Sequence, residues 1–503
     1  MMQRKIGLLI TIILMGALLA ACASEQPAKQ DNEKITQFNK LGEEDDTVDS
    51  DEASEQPITG LHATGLNGVT LYFLDETVGQ LSPETRKLGS GKTIDELALY
   101  ILKELAEGPE TSGLSPVFPE DVKINRVDIA DNILVVDLSA AFNESEEPAL
   151  ARAALVNSLL DIGAFKYIKL YIDGRVATVT PESQSAPLGL LTRYPMIFAE
   201  IKALEEQNYN NQAMRKVNWE LFFQDNSGKY LLSEVRPITI AEGKAAETIV
   251  NELIKGPVAE GEGYYPTLPK GTTLQKAEII HGKNGNTGIA VFFSKEFRTQ
   301  FSRDAVHEHS MISSLVYSLT SLPDVNFVKI YYDNGHGRYI DDPVHSIDLN
   351  KELTKEDYPD KPGRRIRVYF GNNQCMLVPE YRAISGREVD IAYRILKDLT
   401  TDPVNPDSVR VLPPHISVED IHLEVKGELA VVDLPFNYFD EMELDNKKII
   451  RDLYALVNSL TDPMNGTGIK EVQFTVGGRI IESYMDISLK DSFVMNPALI
   501  SEE

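Results

Sequence analysis

The stretch Leu155-Val156-Asn157-Ser158-Leu159 decides the fold, because it occurs three times in the chain. It returns as Leu315-Val316-Tyr317-Ser318-Leu319 and as Leu456-Val457-Asn458-Ser459-Leu460. Each copy lies late in an apolar helical run, and a strand-like segment follows that ends at a Gly-Arg pair. From the first Leu to that Arg the separation is 20, 23 and 23 residues. Agreement at both ends indicates one structural unit repeated three times; its Gly-Arg pairs are Gly174-Arg175, Gly337-Arg338 and Gly478-Arg479.

The same order of elements is predicted in each unit: strand, strand, helix, strand, strand, helix, strand. In the first unit, apolar residues at helical spacing predict a helix over Thr93–Glu107, which stops at Gly108-Pro109. The strands come in runs with helices between them, without the spacing typical of βαβ units. This pattern predicts α+β modules, each a small, mostly antiparallel or mixed sheet with two helices on one face.

We place module one at 60–180, module two at 214–346 and module three at 364–488. A unit of this length buries an adequate core by itself. The remaining segments are a linker with a predicted helix (181–213), a short charged linker (347–363) and a C-terminal tail (489–503).

Residues 1–21 have the pattern of an export signal. Arg4 and Lys5 precede an apolar run, Ile6–Leu19, which is short for a membrane span of about 20 residues. Leu19-Ala20-Ala21-Cys22 resembles the lipobox of bacterial lipoproteins. The resemblance implies cleavage before Cys22 and diacylglycerol, with fatty acids such as palmitate, on its sulfur. The alternatives are an uncleaved transmembrane anchor and a plain secretory signal. We expect a lipid-anchored protein on the outer side of the cell membrane.

Composition limits the partners of the chain. The formal net charge of −28 argues against binding to nucleic acid and against docking on anionic lipid through a basic patch. Residues 22–59 are polar and acidic, so we expect a disordered tether that charge repulsion extends. The hydrophobic share of 42% and charged share of 25% over the whole chain are those of folded soluble domains.

Two constellations suggest chemistry, and neither has the required spacing. His307 and His309 flank Glu308 on a predicted helix, where residues two apart point in different directions, so we expect no metal site. Cys375 is followed by His415 and His422, but no group that would orient a catalytic base is identifiable. No phosphate-binding loop follows a strand, and we expect no cofactor.

Polar residues also recur at matched positions. Asp137 and Asp433 correspond, but module two has Phe292 there, which argues against a shared catalytic Asp. The single Trp219 is expected in the core of module two. A Glu-x-Arg pair on the second strand of each unit is expected to form a solvated ion pair worth about 0–1 kcal/mol; the pairs are Glu84 and Arg86, Glu234 and Arg236, Glu380 and Arg382.

Together these motifs identify a family. A helix ending Glu-Leu-x-x-Gly-Pro, a Val-Asp-Leu-Ser strand end, a Leu-Val-x-Ser-Leu helix and a Gly-Gly-Arg finish resemble the GerMN domain of GerM-type sporulation and germination lipoproteins. The resemblance covers residues 66–486 without the linkers. It implies a ring-building-type fold and a part in assembling the channel complex between mother cell and forespore. The familiar member of the family has two such domains, whereas this chain has three.

The sequence therefore predicts a non-enzymatic, lipid-anchored scaffold outside the cytoplasm that acts in spore formation or germination. Its expected partners are the membrane, through the lipid, and other sporulation envelope proteins; the sequence leaves its oligomeric state open. One alternative is an envelope lipoprotein that binds a solute or a cell-wall fragment, and the other is an envelope hydrolase.

Overall fold

The structure is a computed structural model that describes residues 68–88, 93–130, 132–179, 187–209, 214–259, 262–300, 305–344, 346–439 and 445–501. The predicted export signal, the lipid-bearing Cys22 and the acidic tether lie outside the described residues.

Module one begins with an antiparallel hairpin and continues into a mixed sheet with two main helices. Its elements are β1 (Gly68–Asp75), β2 (Gln80–Lys87), α1 (Ile94–Glu107), β3 (Ile124–Ala130), β4 (Ile133–Leu138), α2 (Pro148–Leu160), β5 (Tyr167–Ile172), β6 (Arg175–Val176) and β7 (Leu190–Leu191). The helix α3 (Phe198–Tyr209) follows, close to the position predicted for the linker helix.

Modules two and three repeat this order. Module two contains β8 (Met214–Gln224), β9 (Leu231–Ala241), α4 (Ala245–Lys255), β10 (Leu274–His281), β11 (Thr287–Phe293), α5 (Glu296–Thr299), α6 (Ala305–Leu319), β12 (Val325–Asp333) and β13 (Tyr339–Ile340). Module three contains β14 (Gly363–Gly371), β15 (Leu377–Ser385), α7 (Ile391–Leu399), β16 (His422–Lys426), β17 (Leu429–Leu434), α8 (Asn446–Thr461), β18 (Glu471–Val476), β19 (Ser483–Tyr484), β20 (Ile487–Ser488) and β21 (Phe493–Val494).

Each mixed sheet contains one parallel pair. In module one, β3 and β4 are antiparallel, but β4 and β5 are parallel from Ile133 opposite Tyr167 to Leu138 opposite Ile172. β11 with β12 and β17 with β18 are parallel as well. The helix that carries the repeated motif (α2, α6 or α8) is called the motif helix, and it joins the two parallel strands in a βαβ crossover. The expectation that no βαβ unit is present is therefore wrong. The segment between β4 and β5 is long enough for a crossover with a helix, which a parallel pair requires.

The two main helices of each module pack against each other next to the mixed sheet, and the fold class is α+β as predicted. The motif helix lies between that sheet and the hairpin, because α2 contacts β1 and β5, and α6 and α8 make the matching contacts. A helix enclosed in this way is buried on most of its surface, so its polar side chains need partners inside the protein. Leu155, Leu315 and Leu456 are fully buried, and Trp219 lies in the core of module two as expected.

The predicted ends of the first helix are confirmed. Thr93 caps α1 in a capping box with Glu96, which satisfies two backbone N–H groups. The helix stops at Gly108 with φ of 88°, and α4 stops at Gly256 with φ of 85°. A residue with a side chain is strained at such angles, so glycine suits both stops.

A segment after the last strand crosses back over the motif helix in every module, and we call it the closing segment (187–201, 353–362 and 493–501). In module one, Leu191 pairs with Ile168 of β5 and the Met196 carbonyl accepts the N–H of Leu81 at the start of β2. Leu188, Leu191 and Ile201 join the core. Residues 187–201, which belong to the region expected to be a linker, therefore contribute to the core of module one. The corresponding bonds link Leu353 with Val328 and Lys361 with Leu231 in module two, and Phe493 with Val472 and Ser501 with Leu377 in module three.

Among the described residues, no helix is both long enough and apolar enough to cross a membrane.

Candidate functional site

The serine of the repeated motif attaches the motif helix to the hairpin. In module one, the Ser158 hydroxyl accepts the backbone N–H of Tyr72 on β1 at 3.1 Å. This bond crosses between two elements that are distant in sequence, and it explains why a polar residue is retained in a buried helix. The same bond recurs from Phe222 to Ser318 at 3.1 Å and from Tyr369 to Ser459 at 2.9 Å.

The residue before that serine holds the closing segment. Asn157 accepts the N–H of Tyr194 at 2.9 Å and donates to the carbonyl of Tyr194 at 3.1 Å. Asn458 makes the same two bonds to Asn496, at 2.9 and 3.0 Å. Module two has Tyr317 instead, whose hydroxyl donates to the Tyr358 carbonyl at 3.0 Å. The motif is therefore a structural device that closes each module.

The Glu-x-Arg pairs are not solvated, and that expectation is wrong. Glu84 and Arg86 are 7% and 6% exposed. Arg86 Nε donates to Glu84 Oε1 at 2.6 Å, and Arg86 Nη2 donates to the Gly108 carbonyl at the end of α1 at 2.8 Å. Glu84 accepts the N–H of Thr111 at 2.7 Å. The pair thus holds the turn after the first helix; the other modules use Glu234 with Val258, Arg236 with Gly256, Glu380 with Val404 and Arg382 with Asp402.

The charge of Glu84 is stabilised by these donors. Burial acts to raise the pKa of Glu84, but hydrogen bonds from Thr111, Glu110 and Arg86 outweigh it and lower the pKa to about 2. Hydrogen bonds to the ionised form act in this direction. Glu84 is therefore an ionised structural group rather than a general acid.

The matched aspartates close a turn. Asp137 accepts the N–H of Gly174 at 3.1 Å, and Asp433 accepts the N–H of Gly478 at 2.7 Å. In module two, the Phe292 ring stacks on Tyr331 with centroids 4.7 Å apart. The longer turn there is held by Asp333, which accepts the N–H groups of Gly335 and Gly337 at 2.8 and 3.0 Å.

The two histidines of α6 have different surroundings. His307 packs against Gly228, where an added Cβ would lie 3.0 Å from the ring. His309 Nε2 lies 3.3 Å from the Ser346 hydroxyl, and Glu308 between them is fully buried. Within the described ranges, no group of three or more His, Cys, Asp or Glu side chains is arranged to hold a metal ion.

Cys375, His415 and His422 occupy three separate elements of module three. Cys375 is in the β14–β15 turn with φ of 60°, and His415 precedes β16, with Nε2 3.2 Å from the Asn437 carbonyl. His422 is the first residue of β16.

Modules one and two share a sheet, because β7 pairs with both β5 and β8. A charged cluster lies on this junction. Lys169 of β5 contacts Glu220 of β8 at 2.7 Å, and the half-buried Lys355 lies close to both. Burial lowers the pKa of Lys355 to about 8, and the positive charge of Lys169 contributes. Two lysines thus share one interface glutamate.

Modules two and three meet through an arginine that lies between two aromatic rings. The guanidinium carbon of Arg365 lies 4.8 Å from the ring centroid of Tyr264 and 4.3 Å from that of Tyr381. Arg365 also donates to the Glu262 carbonyl at 2.6 Å. The Leu231 N–H donates to the Lys361 carbonyl at 2.7 Å, just before module three. Stacking and hydrogen bonds together fix the direction in which module three leaves module two.

The outer strands of the mixed sheets carry exposed ion pairs. β3, β10 and β16 each end the strand order of a sheet in the described part of the chain. Charges on an edge strand oppose unwanted pairing with other strands. The pairs are Arg126–Asp128 at 3.3 Å, Lys276–Glu278 at 2.9 Å and Lys426–Glu424 at 2.8 Å.

Exposed apolar residues differ between the modules. Phe436, 75% exposed, lies two residues after β17, where the other modules have Ala140 and Lys295. Ile279 on β10 and Val389 before α7 are 70% and 71% exposed. The buried frame is thus common to the modules. Phe436 and Val389 are specific to module three, whereas Ile279 corresponds to the half-buried Ile129 and Val425 of the other modules.

Comparisons with known proteins agree with this repeated architecture. The family model described as "Germane: Sporulation and spore germination" matches residues 70–178, 220–336 and 367–482, one segment in each module. Tandem GerMN domains of the sporulation protein GerM from Bacillus subtilis are 19% identical, covering 57% of this chain and 98% of that chain, with a TM-score of 0.23. The first GerMN domain of the same protein is 22% identical over 26% of this chain and 96% of that chain, with a TM-score of 0.20.

A structure of a protein from Clostridium perfringens, described as a candidate lipoprotein, is 21% identical over 26% of this chain and 89% of that chain, with a TM-score of 0.19. No curated protein matches the chain.

Proposed function

The chain belongs to the Germane family of sporulation and spore germination proteins, and on that premise we propose that it is a lipid-anchored, non-enzymatic scaffold outside the cytoplasmic membrane. It holds other sporulation envelope proteins through contacts made by its module surfaces.

One observation carries the proposal: the polar residues that recur between modules serve the fold itself. The motif serine, its neighbouring Asn or Tyr, and the Glu-x-Arg pair all bond backbone groups of their own module. Asp137 and Asp433 likewise hold turns. A repeated catalytic centre would need side chains directed at a substrate, so these residues support a scaffold rather than an enzyme.

The connections between modules add to this argument. The sheet shared by modules one and two and the stacked Arg365 between modules two and three support a body that presents several surfaces in fixed directions. Phe436, Ile279 and Val389 would contact neighbouring proteins, because exposed apolar residues of this kind contribute to protein interfaces.

The scaffold is tested by complementing a null strain with two sets of variants, with protein levels measured in parallel. Phe436→Glu and Ile279→Glu alter exposed apolar positions, and we expect loss of sporulation-linked function together with loss of crosslinked partners. His307→Gln and Cys375→Ser are the polar counterparts, and we expect both to complement. Complete loss of function in a stable polar variant would indicate an active site and contradict the proposal.

The anchor is tested separately. Cys22→Ala should leave the protein uncut by the lipoprotein peptidase and unlabelled by a radioactive fatty-acid precursor. Labelling that persists in this variant would exclude lipidation at Cys22.

A further inference from the structure

Module two has an open groove of about 390 Å³ between the start of α6, the β8–β9 turn and the closing segment. Its walls combine cationic, aromatic and aliphatic groups. The side chains that matter for its chemistry are Lys229, Val306, His309, Tyr358 and Lys361.

The amine of Lys361 is held by neutral oxygens. It donates to the Gly228 carbonyl at 2.8 Å, the Ser310 hydroxyl at 2.7 Å and the Val306 carbonyl at 3.4 Å. Burial lowers the pKa of Lys361 to about 8, and the nearby Asp225 opposes the decrease. Asp225 itself bonds Tyr230 and Ser227 within the β8–β9 turn. The charge of Lys361 is therefore not neutralised by its hydrogen-bond partners.

The acidic residues at the groove are engaged by other cations. Asp357 contacts Lys351 at 2.6 Å and accepts the N–H of Thr354 at 2.8 Å. Asp360 contacts Arg387 at 3.2 Å. With these carboxylates paired, Lys229 and Lys361 are the cationic side chains of the groove lining, on a chain whose net charge is −28. An anion attracted to this protein would therefore respond to a local site rather than to overall charge.

His309 adds a neutral hydrogen-bonding group. Burial lowers the pKa of His309, and the charge of Lys361 lowers it further. A neutral imidazole can donate from one nitrogen and accept at the other. The ring of Tyr358 lies 6.1 Å from that of His309, centroid to centroid, and forms an aromatic wall beside it.

The groove depends on residues specific to module two. When the repeated motifs are superimposed in sequence, His309 and Ser310 correspond to Ala149 and Leu150 of module one. Tyr317 replaces the asparagine that holds the closing segment in modules one and three. The longer side chain bonds the carbonyl of Tyr358, which places this part of the closing segment beside His309.

We propose that this groove binds a small organic ligand bearing a carboxylate or a phosphate, with Lys229 donating to the oxyanion, the charge of Lys361 attracting it, and Val306 and Tyr358 contacting its apolar part. The inference goes beyond the scaffold function, because it concerns a ligand of one module and no partner surface. A charge-assisted hydrogen bond from Lys229 supplies the affinity, and a volume of about 390 Å³ suits a monosaccharide or a molecule of similar size.

The test is a titration of the full chain in detergent micelles, followed by saturation-transfer NMR of the ligand. The probes are N-acetylmuramic acid for a carboxylate and glycerol 3-phosphate for a phosphate. N-acetylglucosamine and glycerol are the matched neutral probes. The variant is Lys229→Gln, at an exposed lysine that leaves the core untouched, and Lys283→Gln in the β10–β11 turn is the control.

We expect at least one anionic probe to bind with a Kd on the order of 1 mM and each neutral probe to bind more weakly. Lys229→Gln should weaken the binding by about tenfold, the loss of one charge-assisted contact, whereas Lys283→Gln should leave it unchanged. Binding of the muramic acid alone identifies a carboxylate ligand, and binding of the glycerol phosphate alone identifies a phosphate ligand; both support the groove. The inference is overturned if neither anion binds at about 10 mM, if the neutral probes bind equally, or if Lys229→Gln has no effect. Partner capture by crosslinking is measured in the same variant, so a failure of the groove is distinguishable from a failure of the scaffold.

Discussion

The side-chain amide of Asn157 holds the backbone of Tyr194 from both sides, accepting its N–H at 2.9 Å and donating to its carbonyl at 3.1 Å. Both residues are buried, and they belong to segments 37 positions apart. An extended backbone has one donor and one acceptor to satisfy at each residue, and a primary amide offers both complements at once. Asn157 thus satisfies the backbone hydrogen-bonding groups of Tyr194 in the way that a neighbouring strand would.

Asn157→Ala should destabilise module one by about 2–4 kcal/mol, because two buried backbone groups lose their partners. Asn458→Ala should have the same effect in module three, where the geometry is the same. Urea unfolding, followed by the fluorescence of a tryptophan introduced into each module in turn, measures both. The control is Asn125→Ala, which removes an exposed amide. Equal stability of Asn157→Ala and the control would show that the closing segment is not held by this residue.

The closing segments also change where the modules should be divided. The bounds inferred from sequence, 60–180, 214–346 and 364–488, stay predictions, but they omit residues that belong to the cores. Leu188, Leu191 and Ile201 are at most 4% exposed in module one, and burial of each such side chain contributes about 1.5–3 kcal/mol.

We therefore predict that fragment 60–213 is soluble and unfolds cooperatively, whereas fragment 60–180 is partly unfolded under the same conditions. Fragments 214–362 and 214–346 form the matching pair in module two. Circular dichroism during thermal unfolding distinguishes the members of each pair. If the shorter and longer fragments melt with the same midpoint and cooperativity, the closing segments are dispensable.

The sequence predicts part of this architecture and leaves the rest out of reach for a physical reason. The leucines of the motif recur at helical spacing, so burial of Leu155 follows from periodicity alone. Its partner segment has no such signal, because Asn157 binds the backbone of Tyr194 and a backbone contact does not constrain the residue type. The closing segments also differ in length, with three residues from Leu191 to Tyr194 and five from Leu353 to Tyr358.

The burial of the Glu-x-Arg pairs cannot be predicted from the sequence for the same reason. Two charged residues on one face of a strand look solvated in sequence, and the partners of Glu84 are N–H groups of a turn more than 20 residues away. The groove of module two has no signal in the sequence either, because Lys229 and Lys361 lie on segments other than that of His309 and have no fixed spacing from it.

Glu84→Gln should remove stability in a defined pH range. The folded-state pKa of Glu84 is about 2, below its ordinary value of 4.5. A lowered pKa stabilises the fold above pH 4.5, and this contribution is lost as the pH falls through about 2. The variant should be less stable than the wild type by about 2–3 kcal/mol at pH 7, and the difference should shrink as the pH falls below 4.5. Urea unfolding at several pH values measures this difference. A constant difference over the whole range would show that the Glu84 carboxylate is not the source.

Lys355→Met should stabilise the protein, in contrast to Glu84→Gln. The folded-state pKa of Lys355 is about 8 and its ordinary value is 10.5, because burial and the neighbouring Lys169 disfavour the charged form. Between these pH values the unfolded chain holds the proton and the folded chain does not, so the wild type gains stability as the pH rises through this window. Below pH 8 both states are charged and the full cost remains.

Lys355→Met removes that cost, since methionine keeps most of the apolar stem beside Tyr317, whose ring centroid lies 5.5 Å from the Lys355 amine. Relative to wild type, the variant should be more stable by about 1–2 kcal/mol at pH 7, and this advantage should decrease towards pH 10.5. Glu220 and Glu356 attract the charged amine and so oppose the lowering of the Lys355 pKa. The expected gain in stability is therefore smaller than for an isolated buried amine. Chemical unfolding at pH 7 and pH 10 measures the change, and Lys283→Met is the control for loss of one charge from module two. An advantage that is the same at both pH values would show that the buried charge of Lys355 is not the source of the cost.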